Sequence, residues 1–124
     1  MRWILITASV LGALSVVIGA AARHMAGITE GSSAYDILQT GLRYHQIHSV
    51  VLLALGLFAL SHAGGKTLTA AAVLFTAGIV LFSGSLYVAA VMDLPALTMM
   101  TPFGGTCFIA GWLCLAFIRP DKKA

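Results

Sequence analysis

The chain has 124 residues, of which 60% are hydrophobic and only 9% are charged, whereas soluble domains carry about 25% charged residues. A small domain in water needs charged side chains over much of its surface, so this composition excludes a water-soluble enzyme. It also excludes a disordered chain, which needs low hydrophobicity and many charges. The seven basic residues are scattered and mostly terminal, so no basic patch indicates a nucleic-acid partner. With these classes excluded, the composition indicates an integral membrane protein of one domain.

Long uncharged stretches separate the few charged residues. About 20 apolar residues in a helix cross about 30 Å of hydrocarbon, so these stretches predict four membrane spans, at about 3–22, 44–62, 67–91 and 102–118. Only the connection 23–43 is long enough to hold structure of its own. Within it, Ser33 and Asp36 match a capping box, which predicts a helix start near residue 34. We therefore expect residues 1–124 to form a single all-α domain, an antiparallel four-helix bundle in the membrane.

The positions of lysine and arginine predict the orientation of the bundle. Short cytoplasmic loops carry an excess of these residues. With four spans, one side of the membrane would hold five of them: Arg2, Lys66, Arg119, Lys122 and Lys123. The other side would hold Arg23 and Arg43. The bias predicts that both termini are cytoplasmic and that the 23–43 connection lies outside. The first span also has features of a cleaved secretory signal, but its apolar run is longer than such signals usually have.

Small residues recur at helical spacing in three spans, where they would let helix backbones approach closely in lipid. The first span carries Ala8, Gly12, Ser15 and Gly19 on one face. The third carries two neighbouring columns, Ala70–Ala77–Gly84 and Ala71–Gly78–Ser85, and the fourth carries Gly104, Cys107, Gly111 and Cys114. The cysteines are seven residues apart on one helix, too far for a disulfide, and are interpreted as packing residues.

The stretch 39–49 is unusually polar for a membrane helix. His45 and His48 share one helix face, and Tyr44 lies one turn before His48. Polar groups are costly in a membrane unless they have partners, so we expect them to face the bundle or a wet crevice. The partners should come from the same side of the membrane. The candidate polar pocket near the outer surface then comprises His24, Arg43, Tyr44, His45, His48, Ser83, Ser85, Tyr87 and Thr101.

Several pieces of the sequence resemble one family of small membrane proteins. They are Gly19–His24, the Tyr44–His48 pair, Phe82-Ser83-Gly84-Ser85-Leu86-Tyr87 and Thr101-Pro102-Phe103-Gly104-Gly105 running to Gly111-Trp112. Together they look like the domain of unknown function family four hundred and twenty-three (DUF423), and the likeness covers nearly the whole chain. Family members usually read phenylalanine–glycine–alanine–histidine where this chain has Ala21-Ala22-Arg23-His24. The resemblance implies four spans in a bacterial inner (plasma) membrane or an organelle membrane, and it implies no activity.

Three interpretations of the polar cluster stay open. The side chains can satisfy one another and fix the register of the helices. They can instead bind copper or haem, with His24, His45 and His48 as the ligands. They can also form the vestibule of a pathway for an ion or small solute. No nucleophile–base–orienter set, carboxylate pair or phosphate loop is readable, so the sequence gives catalysis little support.

The functional prediction follows from these interpretations. We expect a non-enzymatic accessory or interaction subunit of a membrane complex, with no resident cofactor. Its surroundings would be the lipid bilayer and either a larger membrane-protein partner or further copies of itself in a homo-oligomer. The alternative is a ligand-binding membrane protein that holds copper, haem or a small solute in the outer-side pocket.

Overall fold

Helices account for nearly all of the structure, a computed structural model that describes residues 1–25 and 28–122. The α-helices are α1 (Arg2–Ala22), α2 (Ser33–Ser61), α3 (Lys66–Gly78), α4 (Gly84–Val91) and α5 (Thr101–Leu115). A π-helical segment, Ile79–Ser83, joins α3 to α4, and a 3₁₀ helix, Pro95–Met100, precedes α5. The described residues contain no β-strand and one isolated β-bridge, between His62 and Lys122. The all-helical prediction is confirmed.

Four helical stretches are long and apolar enough to cross a membrane. They are Arg2–Ala22, Ser33–Ser61, Lys66–Val91 and Pro95–Leu115. The shortest has 21 residues, which is long enough to cross a bilayer. The lowest mean hydropathy among them is 1.2. The predicted four-span bundle is therefore confirmed, while its orientation in the membrane stays a prediction.

Helix α2 begins one residue earlier than the capping pattern predicts. Its N-cap is Ser32, whose hydroxyl accepts a hydrogen bond from the Tyr35 backbone N–H at 3.1 Å. Gly31 precedes this cap with φ 87°, a conformation that glycine adopts without strain and that turns the chain into the helix. The helix then runs for 29 residues without a break. At about 1.5 Å per residue it is longer than the hydrocarbon core, because it begins before the predicted span of about 44–62 and continues through it.

Helix α5 ends at Leu115, three residues before the predicted end of the last span. Residues 116–118 continue in a tighter turn, in which each backbone N–H bonds to the carbonyl three residues earlier. The chain then folds back toward the α2–α3 connection, where the Ala63 N–H donates to the Asp121 carbonyl at 2.9 Å. This return pairing depends on residues far apart in sequence, so local patterns cannot predict it.

The predicted small-residue faces lie mainly at helix contacts. In α1, Ala8 and Ser15 are buried, and a methyl group added to Gly19 would meet Leu42 of α2 at 3.3 Å. The column Ala71–Gly78–Ser85 is buried as well. The neighbouring column was wrongly expected to be a second contact, because Ala70 is exposed and the space beside Gly84 is open.

Close approaches at glycine bring α5 against the third span. A methyl group on Gly111 would meet the Phe75 ring at 2.9 Å, and one on Gly104 would meet the Phe82 backbone. The main apolar core contains the buried residues Ile4, Leu52, Leu68, Phe75 and Phe108. The core therefore joins all four spans, and His48 of α2 packs against its Phe75 and Phe108 rings.

Candidate functional site

His48 is buried at the centre of the bundle with both ring nitrogens engaged. Its Nδ1 lies 2.6 Å from the Tyr44 backbone carbonyl, and the Trp112 indole N–H lies 3.1 Å from its Nε2. A carbonyl only accepts and an indole N–H only donates, so Nδ1 carries the proton and Nε2 accepts. His48 is thus a neutral imidazole with no lone pair left for a metal ion.

Aromatic rings enclose His48. The Phe108 ring stacks on it with centroids 3.7 Å apart and an interplanar angle of 9°. Tyr44, one turn earlier on α2, is nearly parallel to it at 6.0 Å, as predicted, and Phe75 lies 5.5 Å away. His48 therefore packs as one member of an aromatic cluster, and only 3% of its surface is exposed.

The buried histidines lie deeper in the bundle than the predicted pocket near the outer surface. Helices α1 and α2 are antiparallel. Leu5, near the start of α1, lies beside Gly56 near the end of α2, while Gly19, near the end of α1, lies beside Leu42 in the first half of α2. Gly12, in the middle of α1, and Ser49 line the same groove. His48 therefore lies near the middle of the span, and His45 lies about one turn away along the helix.

His45 links α2 to α4. Its Nδ1 is 2.8 Å from the Tyr87 hydroxyl, and the Ser49 hydroxyl donates to its backbone carbonyl at 2.8 Å. Within residues 1–25 and 28–122, its Nε2 is the single buried side-chain nitrogen or oxygen without a hydrogen-bond partner. The Leu11 backbone of α1 interacts with this ring without completing a regular hydrogen bond. One buried histidine nitrogen is thus left unsatisfied.

Two serines of the third span make the other polar contacts of the cluster. The fully buried Ser83 donates to the Gly41 backbone carbonyl of α2 at 2.7 Å. Ser85 shares a 2.8 Å hydroxyl contact with Thr101 at the start of α5. Ser83 ends the π-helical segment, whose wider turn offsets the residues that follow it relative to a continuous α-helix.

His24 and Arg43 lie apart from this network. His24 is exposed and lines a cavity of about 590 Å³ with Arg23, Glu30 and Tyr35 at the end of α1. Arg43 is exposed on α2. Among the described residues, no three His, Cys, Asp or Glu side chains are arranged to hold a metal ion. The candidate ligands His24, His45 and His48 of the metal interpretation are therefore not brought together in this structure.

Comparison with known proteins places the chain in a family. The family described as "Protein of unknown function (DUF423)" matches residues 18–105. This is the family that the sequence motifs resemble. The chain belongs to it. The matched region contains Gly41, His45, His48, Ser83 and Thr101, so most of the polar network of this DUF423 member lies within it.

Individual relatives agree with this assignment. The chain is 36% identical to the UPF0382 inner membrane protein YgdD of Escherichia coli, over 98% of this chain and 94% of that protein. It is 36% identical to the UPF0382 membrane protein YwdK of Bacillus subtilis, over 93% and 94%. A UPF0382 membrane protein of Haemophilus influenzae is 37% identical, over 86% and 84%. No solved structure matches the chain. Together with the four apolar helices, these relatives make this DUF423 member a multi-pass bacterial inner membrane protein.

Trp112 and Phe108 were missed as members of the polar cluster. The position of Trp112, seven residues before Arg119, indicates only a packing residue, and no pattern singles out Phe108. The available signal was their spacing of four residues on the helix that also carries Gly104 and Gly111. That spacing places both aromatic rings near one face, but only the fold shows that this face meets His48.

Replacing Ser83 with alanine is expected to lower the free energy of unfolding by about 0.6 kcal/mol, the average for a hydrogen bond between membrane helices. The change removes the donor to Gly41 and leaves the α2 helix bonds in place. Ser61→Ala is the matched control, because Ser61 is exposed and bonds only within its own neighbourhood. Thermal unfolding in detergent measures both variants. Equal midpoints for the two would contradict a stabilising contact between α2 and the π-helical segment.

Proposed function

We propose that the chain is a non-enzymatic interaction subunit of a membrane complex, and that it docks another transmembrane helix on its lipid-facing surface. The observation that carries this proposal is Gln46. Its side chain lies on the exposed face of α2, and its amide makes no hydrogen bond to any described residue. A primary amide that faces hydrocarbon without a partner costs free energy.

Gln46 lies well inside the hydrocarbon layer. It precedes Ser49, which is level with the middle of α1, by three residues or about 4.5 Å along the helix. The hydrocarbon extends about 15 Å to either side of the bilayer centre. An amide on a long flexible side chain therefore has no nearby water, and a second helix that offers a donor and an acceptor would stabilise it.

The surface around Gln46 is shaped to receive a helix. A groove of about 400 Å³ runs between α1 and α2, lined by Ala8, Ser9, Gly12, Ser15, Gln46, Ser49, Val50 and Leu53. Gly12 forms an open part of its floor, since a methyl group there would meet nothing within 4 Å. The three serine hydroxyls are bonded to carbonyls of their own helices. Small residues of this kind allow the close backbone approach that drives helix association in lipid.

The interior of the bundle supports a non-enzymatic function. His48 has two hydrogen-bond partners. Ser83 donates to Gly41 of α2, and Ser85 shares a hydrogen bond with Thr101 of α5. These groups serve as fixed contacts between helices. A buried network of this type specifies helix register and leaves little reactive chemistry available.

A ligand-binding function is the second candidate, and the unsatisfied Nε2 of His45 favours it. Its ligand would be copper, haem iron or a small polar solute within reach of that nitrogen. Metal analysis and an absorption spectrum of gently purified protein, compared with a His45→Ala variant, test it. About one equivalent of metal or a Soret band that is lost in the variant would favour this function over the interaction subunit.

Replacing Gln46 with leucine is expected to reduce the assembly of the chain with its partner without unfolding it. The side chain is exposed, so the stability of the separate bundle should change by no more than about 0.5 kcal/mol. Gln39→Leu is the matched control, because it makes the same substitution two turns nearer the start of α2. Native gel electrophoresis in mild detergent should show an assembly larger than the 12.9 kDa chain for wild type and Gln39→Leu. A Gln46→Leu assembly of unchanged size and abundance would contradict the proposal.

A further inference from the structure

We infer that a second copy of this chain occupies the α1–α2 groove, so that two α2 helices pair across a twofold axis normal to the membrane. This inference rests on the proposed function, because it names the helix that docks on the Gln46 surface. Three features carry it: the spacing of exposed residues on α2, the chemistry of Gln46, and the position of the groove beside them.

Helix α2 carries a heptad ridge on its lipid-facing side, formed by Gln46, Val50, Leu53 and Leu57, which are spaced 4, 3 and 4 residues apart. Val50 is 65% exposed, Leu53 42% and Leu57 53%. Apolar residues at this spacing make the seam of a left-handed helix pair. A single polar residue at one such position sets the register and the number of helices in soluble coiled coils, and Gln46 has that place here.

Identical orientation in the membrane makes the ridge self-complementary. Every copy inserted with the same topology has its α2 helices parallel and at the same depth. A twofold axis normal to the membrane then sets Gln46 of one copy opposite Gln46 of the other. A primary amide has two donors and an acceptor oxygen, so two such amides can bond each other. A partner of unrelated sequence would have to supply a donor and an acceptor at the same depth.

The groove lies where the ridge of a second copy needs space. Val50 and Leu53 belong both to the ridge and to the wall of the groove. If the twofold axis passes near these two residues, the ridge of each copy therefore lies against the groove of the other copy. The open space over Gly12 is available for an incoming aliphatic side chain. This arrangement resembles the knobs-into-holes contact of paired helices.

The ridge also has a natural end. Arg43 is exposed and lies three residues before Gln46 on α2, so close pairing there would bring two like charges together. Arg43 lies six residues before Ser49, about 9 Å along the helix, and its long side chain can extend from there toward the headgroups. We therefore place the paired segment between Gln46 and Leu57, with the helices diverging beyond Gln46.

The exposed side of α5 lacks these features. Its large exposed apolar residues are Phe103, Ile109, Trp112 and Leu113. The Trp112 indole N–H donates inward to His48, and the exposed Thr106 hydroxyl donates to the Pro102 carbonyl of the same helix. No polar group on this side needs a partner from outside, so it is suited to lipid and serves as a reference surface.

Disulfide trapping in native membranes tests the inference. Val50→Cys is introduced into full-length protein in which Cys107 and Cys114 are replaced by alanine, and mild oxidation is followed by non-reducing electrophoresis. Residues near a twofold axis approach their own counterparts, so we expect a covalent dimer as the main product. Ile109→Cys, equally exposed on α5, should give little dimer. Adding Gln46→Leu to the Val50→Cys protein should lower the dimer yield several-fold.

The outcomes separate this inference from the proposed function. Dimer from Val50→Cys at no higher yield than from Ile109→Cys, while native electrophoresis still shows a Gln46-dependent assembly, would overturn the second copy and leave the interaction subunit. If native electrophoresis of the wild-type protein shows no assembly, both the second copy and the interaction subunit would be overturned. The protein with Cys107 and Cys114 replaced should unfold at the same temperature as wild type, which shows that these replacements leave it folded. The dimer yield from Ile109→Cys measures cross-linking by random collision.

Discussion

Replacing Gly104 with alanine is expected to lower the free energy of unfolding by about 1–3 kcal/mol, the usual cost of overpacking a tight contact. The added methyl group would lie 2.7 Å from Phe82 Cα and would also clash with the Phe82 backbone nitrogen. A flexible side chain could move aside, but this obstacle is the backbone of the π-helical segment. Helix α5 would have to shift away from the third span, which would also disturb the contact between Ser85 and Thr101.

Gly105→Ala is the matched control for this substitution. A methyl group there would meet only the Phe82 ring at 3.8 Å, an ordinary contact distance. Alanine favours a helix over glycine by up to about 1 kcal/mol, so Gly105→Ala should be neutral or slightly stabilising. Thermal unfolding in detergent, followed by circular dichroism, compares the two. A Gly104→Ala protein as stable as Gly105→Ala would mean that α5 does not approach Phe82 as closely as the structure shows.

Replacing His48 with alanine is expected to lower the free energy of unfolding by about 2–5 kcal/mol, the range for truncating a large buried side chain. The ring fills the space against Phe108 at 3.7 Å, so its loss leaves a cavity in the aromatic cluster. The Trp112 indole N–H also loses its acceptor, which adds the cost of an unpaired polar group to that of the cavity.

The control for this prediction is His24→Ala, since His24 is exposed at the end of α1 and should be nearly neutral. Thermal unfolding reports stability, and tryptophan fluorescence reports the surroundings of Trp112. A His48→Ala protein that keeps wild-type stability but loses a bound metal or haem would contradict the packing function of this residue and favour the ligand-binding alternative.

The four spans could be predicted because charge is so rare in this chain. In a membrane protein the length of uncharged sequence directly sets the number of crossings, and small residues at helical spacing indicate the contact faces. Ala8, Ser15, Gly78 and Gly111 are buried as that rule predicts. The stacking of Tyr44 on His48 could also be predicted, because residues four apart on a helix are neighbours.

The partners of the buried polar groups could not be predicted from local patterns. Trp112 reaches His48 across 64 residues of sequence, and Ser83 reaches Gly41 across 42. The π-helical segment changes the register of the third span, so a regular helical projection places the residues after it incorrectly. Only the packed bundle defines these contacts.

Gln46 shows the limit of a rule that polar residues of a membrane helix face inward. It lies in the polar stretch with His45, His48 and Ser49, all of which are buried. A helix turns about 100° per residue, so a position one residue after His45 is directed away from that face. Gln46 is exposed for this reason, and a polar residue that the interior does not use becomes available to a second helix.

Native mass spectrometry of the protein released directly from membrane vesicles is the measurement that tests the interaction function most directly. It reports the number of chains and any bound group in one spectrum. We predict a species with twice the mass of the chain for wild type and mainly single chains for Gln46→Leu. A single wild-type chain carrying the added mass of a metal or haem, lost in His45→Ala, would contradict the interaction function and identify a ligand-binding protein.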